Sequence, residues 1–563
     1  MSRLDESATE VEGGKRQHTP EPEDKALEPY TKATDPEDKA VDTATEATTL
    51  ISGLPLVVIM TGLALAGFVV ALDTSIIATA IPFITEEFHS TQDIGWYGSA
   101  YFLTLCSLQP VNGKLYSSFS LKSHSRNLQW SFITFFAVFE LGSLLCAVAV
   151  NSNMFIGGRA VAGLGGSGIL LGALSIIAYI IPLNKRPLYT GLFVSVFSIA
   201  LVVGPIIGGA FTQHVTWRWC FYINLPIGCA TFLALGFLFH PLPRPQEGET
   251  LPQRIKKLDL VGAVLFTPAV LMALLALQWG GSTYPWHSAT IIGLFVGFGA
   301  LMGVFVLWEA FVGDEIAMLP SSLLRLRAVA FAGSTQLFAT GGIFAAVYYL
   351  PEWFQVVRGA SPVRSGVMNI PSFLSQVLAS ILAGGLGSKI GGLNPWIWVG
   401  CALMAVGTGL YSTLTVDSDA GHWIGFQILQ GFGFGCVAQM PTIAVQMAVP
   451  PQRVPIALAM TAFAQFFGSA IFVAIAQTIF SNVLIAKLAT DAPDVDAEAL
   501  LLAGSGAVRS IVPPESLSAV LAAYESAITS TFYLTAATSV TAFFVSFGIP
   551  WTSVKAKKQT AGL

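Results

Sequence analysis

Arg159-Ala160-Val161-Ala162-Gly163-Leu164-Gly165-Gly166-Ser167-Gly168 puts one permanent cation at the head of a run of glycines, inside a stretch (154–182) otherwise apolar enough to lie within a bilayer. An ionisable group near mid-membrane costs about 2.5–3.5 kcal/mol on insertion scales, so it faces a bundle interior or a water-filled path. Asp73, which follows the apolar run from Leu54, raises the same question with the opposite charge. Two such residues in two apolar spans point to a path through the membrane.

Composition sets the class. With 563 residues, 53% hydrophobic and 11% charged, and a mean hydropathy of +0.67, the chain has too few charges to coat a soluble globule of this size. It reads as an all-α polytopic membrane protein. Runs of about 20 apolar residues, long enough to span, fall near 54–80, 94–116, 130–150, 154–182, 188–212, 219–240, 259–279, 288–312, 328–351, 365–390, 395–415, 422–448, 455–486 and 530–551. That predicts about 14 transmembrane helices. Lys114, Lys185, Arg186, Lys256, Lys257, Arg325, Arg327, Lys389 and Arg453 fall in alternate loops, and the opposite loops hold far fewer basic residues. The positive-inside rule then places both termini in the cytoplasm and requires an even number of spans.

Residues 1–52 are acidic and lack an apolar segment, so they read as a disordered cytoplasmic tail, with a regulatory or trafficking segment as the alternative. The six cysteines lie inside predicted helices, without metal-ligand spacing. The acidic segment 488–528 reads as an extracellular loop with a short helix near 497–503, and the polar stretch 123–129 as a lengthened loop. Residues 553–563 form a second cytoplasmic tail.

An internal repeat organises the rest. Arg159 precedes Gly163-Leu164-Gly165 by four residues, and Gln427 precedes Gly431-Phe432-Gly433 by the same step, 268 residues later. Gly113-Lys114 matches Gly384-Gly385 of the run that ends Lys389-Ile390-Gly391, 271 residues on. Two matched offsets argue duplication: a six-helix half over 53–240, a linker with two inserted helices over 241–326, and a second half over 327–552.

Further stretches carry a family likeness: Leu72-Asp73-Thr74-Ser75-Ile76-Ile77-Ala78-Thr79-Ala80-Ile81-Pro82, Gly204-Pro205-Ile206-Ile207-Gly208-Gly209, Trp217-Arg218-Trp219 with Asn224 and Pro226, and Leu258-Asp259 with Gly262. With the Arg159 run they resemble the major facilitator superfamily, and within it the fourteen-span drug:proton antiporters of fungi, the toxin and multidrug efflux pumps. The resemblance covers nearly everything after residue 50. It implies alternating access of two six-helix halves, export of small hydrophobic compounds such as secondary metabolites, toxins or drugs, and exchange for protons. It also implies a monomer in the plasma membrane, the vacuolar membrane being the alternative.

On this likeness Asp73 carries the proton and Arg159 is its charge partner, with a static structural pair as the competing reading. Counting along the helices puts both roughly 10 Å deep from the same face, so they can meet. Glu140 is a second carboxylate that either carries protons or packs. Gly204, Pro205, Gly208 and Gly209 form the antiporter motif, although tight helix packing accounts for the same residues and Ala200 stands where the family has glycine. Gly113, Lys114, Gly384, Lys389 and Gly391 form the gating loops, with Ser117 in place of the family's aspartate. Gln336, Gln427, Gln430, Gln465, Phe463 and Phe467 suit a largely apolar substrate cavity with a few hydrogen-bonding groups, packing or lipid contact being the alternative for each aromatic.

No histidine stands at a spacing that suggests metal binding or nucleophile activation, and no phosphate-cradling Gly-rich loop is present. An enzyme, a metal or cofactor, nucleic-acid binding and ATP as the energy source are therefore not expected; an ion gradient is. A siderophore or nutrient importer of the same superfamily, and a transporter-like sensor without flux, remain the other readings.

Overall fold

The computed structural model describes residues 53–90, 93–120, 125–238, 258–281, 283–497, 500 and 508–551. The two tails, residues 241–257 of the linker, residues 123–124 and five of the seven residues of the expected 497–503 helix lie outside the described residues. Apart from isolated bridge positions at Gly280, Tyr284 and Gly392, the described residues are helical or irregular. In chain order the helices are α1 (Leu54–Phe88), α2 (Ile94–Ser107), α3 (Gln109–Ser120), α4 (Ser125–Ala147), α5 (Ser152–Ile180), α6 (Arg186–His214), α7 (Trp219–Tyr222), α8 (Asn224–Leu238), α9 (Leu260–Trp279), α10 (Ala289–Val312) and α11 (Ser321–Leu324). They continue with α12 (Arg327–Val356), α13 (Pro362–Met368), α14 (Ile370–Ile390), α15 (Asn394–Tyr411), α16 (Ala420–Val437), α17 (Met440–Ala448), α18 (Val454–Asp491), α19 (Val508–Ile511) and α20 (Leu517–Ser546).

Local chemistry starts and stops these helices. Asn151, Asp259, Ser288 and Asp419 cap α5, α9, α10 and α16 by accepting from a backbone N–H three residues on. Proline occupies the first turn of α6, α14, α15 and α18, where its missing N–H costs nothing. Gly391 ends α14 at φ 92°, a left-handed cap that a side chain would strain.

Among the described residues, twelve helices are long and apolar enough to cross a membrane. The two other expected spans have helices in place. The 94–116 run is divided into α2 and α3 at Leu108, and the 395–415 run is α15. The polar stretch 123–129 departs from its reading as a loop: α4 begins at Ser125. Gln129 is buried and donates to Leu235 O at 2.6 Å, so its polarity serves a helix contact.

The repeat is legible in three dimensions. Arg159 Nε donates to Tyr97 O at 2.9 Å, and Gln427 Nε2 to Met368 O at 2.9 Å; Tyr97 and Met368 stand 271 apart, as do the Tyr101 and Ser372 carbonyls against which Gly163 and Gly431 pack. Gly165 closes on Phe135 and Phe139 of α4, Gly433 on Gly400 and Met404 of α15. The two glycine pairs let α5 and α16 each sink between two neighbours.

The hydrophobic core divides unevenly along the bundle. One large cluster mixes residues of both repeats, among them Ile177, Ala178, Ala379, Ala383, Val454 and Ile456. At the other end the core splits into a cluster drawn from Ala71–Phe221 and another drawn from Ala345–Phe532. The repeats are therefore joined at one end, which holds the end of α3 and the start of α6, and separately packed at the other.

Candidate functional site

Asp73 on α1 and Arg159 on α5 are fully buried and meet at 2.5 Å, Nη1 to Oδ2. Small residues allow it: the glycines after Arg159 bring α5 against α2 and α4, so the guanidinium reaches across to α1. Nε of Arg159 is held by Tyr97 O, and the guanidinium carbon lies 4.6 Å from the Tyr101 ring centroid, an arrangement in which the ring face offsets part of the lost hydration. Asn224 Nδ2 approaches the other carboxylate oxygen, Asp73 Oδ1, at 3.5 Å. A buried pair of this kind is worth little as net stability, but removing one partner costs about 3–5 kcal/mol because the other charge is stranded. The pair is thus a place where adding one proton changes the local charge balance.

Glu140 on α4 is buried beside this pair's far side, with its carboxylate packed under Gly228 of α8. Asn224, one turn before Gly228, also donates to Ser143 Oγ at 3.0 Å. Sequence reading noted Asn224 only as part of a family stretch and passed over Ser143 and Tyr101. Asn224 had one usable signal, a lone amide in an apolar span; a serine or tyrosine in a membrane helix carries none.

The motif on α6 joins α1 at the level of Asp73. A Cβ at Gly204 would meet Ser75, and one at Gly208 would meet Thr79 and, at 2.9 Å, Ile76 O. Ser75 Oγ donates to Ala200 O at 3.3 Å. Pro205 lies inside the helix, and Gly209 has only Val363 nearby, at 4.0 Å. Two of the four motif positions therefore set how closely the helix carrying Asp73 approaches α6.

The other face of α6 meets the second repeat. A Cβ at Gly191 would lie 2.7 Å from Ser380 O, and one at Gly384 would lie 2.5 Å from Pro187 O. Gln376 Nε2 donates to Ser198 Oγ at 2.9 Å, and Ser195 Oγ reaches Val377 O at 3.5 Å. The symmetric contact sets Gly113 against Ala459 and, at 3.2 Å, Pro455 O; Pro187 and Pro455 stand 268 apart, the repeat offset. Lys114 donates to Glu315 O at 2.7 Å and Ala317 O at 3.1 Å, which ties α3 to the segment between α10 and α11. Lys389 is exposed in the last turn of α14.

The residues expected to line a cavity are placed differently from one another. Gln336 donates to Ala438 O at 2.9 Å, Gln427 to Met368 O, and Gln430 accepts from Ser372 at 2.7 Å and Tyr411 at 3.2 Å. Their amides serve helix packing inside the second repeat. Phe463 and Phe467 stack at 5.2 Å, and Phe463 also meets Phe266 of α9 at 5.2 Å. Gln465, on the same helix, is half-buried.

At the end where the repeats are separate, Glu87 accepts from Arg218 at 2.8 Å and from Trp217 at 2.7 Å, and Arg218 also donates to Ala149 O at 2.9 Å. The Arg218 guanidinium holds the Glu87 carboxyl below its ordinary 4.5. The clamp fastens the end of α1 to the connections before α5 and α7.

A family model described as Major Facilitator Superfamily matches residues 63–473. The MFS-type transporter pigP of Monascus ruber is 46% identical over 513 residues, covering 91% of this chain and 89% of its own length. The MFS-type efflux pump MFS1 of Trichophyton rubrum is 44% identical over 515 residues, covering 91% and 94%, and the efflux pump mlcE of Penicillium citrinum is 42% identical over 519 residues, covering 91% and 93%. Among solved structures, the proton:xylose symporter XylE superposes with a TM-score of 0.53 at 15% identity, over 89% of this chain and 98% of that one. The human organic anion transporter MFSD10 gives a TM-score of 0.53 at 13% identity, over 86% and 100%.

Proposed function

We propose that this chain, which belongs to the major facilitator superfamily, exports small hydrophobic compounds in exchange for protons. That it is a multi-pass membrane transporter and not an enzyme follows from the family; direction, coupling ion and substrate class are the further reading. The observation that carries it is the Asp73–Arg159 pair, a titratable group buried at an interhelical contact with a fixed counter-charge. Protonating Asp73 leaves Arg159 unbalanced, so proton binding and helix rearrangement are coupled through one contact. The glycines of α6 pass that rearrangement on, because Gly204 and Gly208 touch α1 while Gly191 touches α14.

The names of relatives support export, two of the three being efflux pumps. The conformation fits it as well. The joined end carries Lys114, Lys185, Arg186, Lys389 and Arg453, so the positive-inside rule makes it cytoplasmic, and the separated end then faces outside, the state from which a substrate is released. On this reading α2 with α3, and α15, complete fourteen crossings, with both termini in the cytoplasm. The halves are 53–240 and 327–552, the inserted pair lies within 241–326, and the protein works as a monomer in the plasma membrane. Phe463 and Phe467 of α18 pack together beside Phe266 of α9, and half-buried Gln465 lies on the opposite face of α18, where it offers the path a single amide; a path with few hydrogen-bonding groups suits multi-ring compounds better than sugars.

The test uses the full-length protein in liposomes with rhodamine 6G as the multi-ring probe. A pH gradient is expected to drive its accumulation with countermovement of protons. Asp73→Asn keeps the shape of the side chain and cannot titrate; it should reach wild-type abundance and lose gradient-driven flux. Continued gradient-driven flux in Asp73→Asn would remove Asp73 from the mechanism, and gradient-independent flux in the wild type would remove proton coupling.

A further inference from the structure

Behind Asp73, helices α4 and α8 enclose a line of polar groups that packing alone does not require. Asn224 and Gly228 are one turn apart on α8, and Glu140 and Ser143 are three apart on α4, so each pair shares a helix face. Asn224 bridges Asp73 Oδ1 at 3.5 Å and Ser143 Oγ at 3.0 Å. A Cβ at position 228 would lie 2.6 Å from the Glu140 carboxyl carbon, so the carboxylate occupies space that only a glycine leaves.

Five buried polar atoms here have no hydrogen-bond partner among the described residues: Glu140 Oε1 and Oε2, Asn224 Oδ1, Arg159 Nη2 and Tyr101 Oη. Buried polar groups are normally paired with protein or with ordered water, and a cluster of orphans calls for an explanation. This cluster contains both donors and acceptors, the mixture that an internal water needs. A hydrophobic contact between α4 and α8 would have served packing better. Neither a glutamate nor an asparagine is needed to fill space beside a glycine.

We infer that Asn224, Ser143 and Gly228 form a water-bearing path that passes a proton between Glu140 and Asp73, with Glu140 as the proton store and Asn224 as the positioning residue. The inference rests on Asp73 being the coupling carboxylate. In the transfer an O–H bond breaks at the Glu140 carboxyl and one forms at the Asp73 carboxylate. Each intervening water gives up one proton and takes one, so no other reactant is consumed. The ionisable groups around the path are Asp73 of α1 and Arg159 of α5, paired with each other, and, within their electrostatic reach, Tyr101 of α2, Cys146 of α4 and Cys220 of α7; the Tyr97 hydroxyl is turned away to Ser90 and Ser152. Cys229 of α8 is exposed, and Tyr116 of α3 is tied to Gly168 O at 2.9 Å.

The experiment compares Asn224→Leu, Asn224→Ser and Glu140→Gln in the full-length reconstituted protein. Two quantities are read: the ratio of pH-gradient-driven rhodamine 6G flux to its equilibrium exchange, and the carboxyl stretching band in infrared difference spectra across a pH titration. Asn224→Leu keeps the branched side-chain frame and removes the amide, and should lower the ratio about tenfold or more, as loss of a proton-transfer group does. Asn224→Ser, which keeps a hydroxyl for water, should recover part of it, and Glu140→Gln should match Asn224→Leu. In the spectra, one titrating band should vanish in Glu140→Gln and move in Asn224→Leu. An unchanged ratio in Glu140→Gln, or an equal fall of driven flux and exchange in Asn224→Leu at normal abundance, overturns the path. Should Asn224→Leu fail to accumulate, Asn224→Ser and Glu140→Gln decide the matter. If the wild type does not move rhodamine 6G, the transport reading fails for that probe, and the path still stands or falls on whether Asn224→Leu or Asn224→Ser moves the Glu140 band.

Discussion

Gly384→Ala should loosen the end at which the two repeats are joined. The new methyl would lie 2.5 Å from Pro187 O and 3.2 Å from Leu188 Cα. An ordinary C···O contact is about 3.3 Å, so α6 and α14 must separate by about 0.8 Å, and both obstructing atoms are backbone. A shift of that size carries the Gln376–Ser198 bond, now 2.9 Å, past hydrogen-bonding range. Overpacking of about 1–3 kcal/mol and a lost bond of about 1 kcal/mol sum to about 2–4 kcal/mol against the joined state, roughly a 30- to 700-fold shift in the open-to-closed ratio. The assay is alkylation of Ser195→Cys, a site 4% exposed in the seam, by a polar maleimide in a Cys229→Ser background, Cys229 being the exposed native thiol among the described residues. Gly384→Ala should raise the alkylation rate at least about 30-fold, the lower end of that range. Gly385→Ala is the control, since its Cβ would have only Leu188 Cδ1 at 4.0 Å. An unchanged rate in Gly384→Ala at wild-type abundance, or an equal rise in Gly385→Ala, would refute the reasoning.

Arg159→Ala should cost about 3–5 kcal/mol of stability by stranding Asp73, seen as reduced membrane abundance and melting temperature. Arg159→Lys should restore less than its charge suggests, because one ammonium does not reproduce the fixed bonds to Tyr97 O and Asp73 together with the stacking on Tyr101. Deleting residues 123–129, which a loop would tolerate, should instead lower abundance, and Gln129→Leu alone should cost about 1–3 kcal/mol by leaving the Leu235 carbonyl unpaired; thermal melts in detergent check both. Glu87→Gln should cost under about 1 kcal/mol, Glu87 being exposed and its partner Arg218 half-buried. The Glu87 carboxyl is depressed in the folded state, so its contribution is present above its ordinary 4.5 and lost as pH falls through the folded value. The melting difference between Glu87→Gln and wild type should therefore close in acid.

Several features were legible in the chain itself because a bilayer penalises polarity so heavily. A charge such as Asp73 or Arg159 survives in an apolar span only with a function or a partner, and the glycine runs at Gly163 and Gly431 mark where helices must approach, so class, duplication and the central pair could be read from spacing. Within the span read over 94–116, the break at Leu108 had one sign that mean hydropathy does not register, Pro110, which stands in the first turn of α3. Composition also could not say which polar groups face a path and which face a neighbour. Gln336, Gln427 and Gln430 look alike in sequence, and all three turned out to hold helices together. Asn224, Ser143 and Gly228 come from segments some 80 residues apart, and their seam exists only once α4 and α8 lie side by side. The sequence by itself determined the solvent this chain folds in and the helices that solvent forces, because the cost of exposing a backbone to lipid is local. Which side chains meet, and which end of the bundle is joined, was decided only by tertiary packing, because those contacts depend on crossing angles and rotations that no single span records.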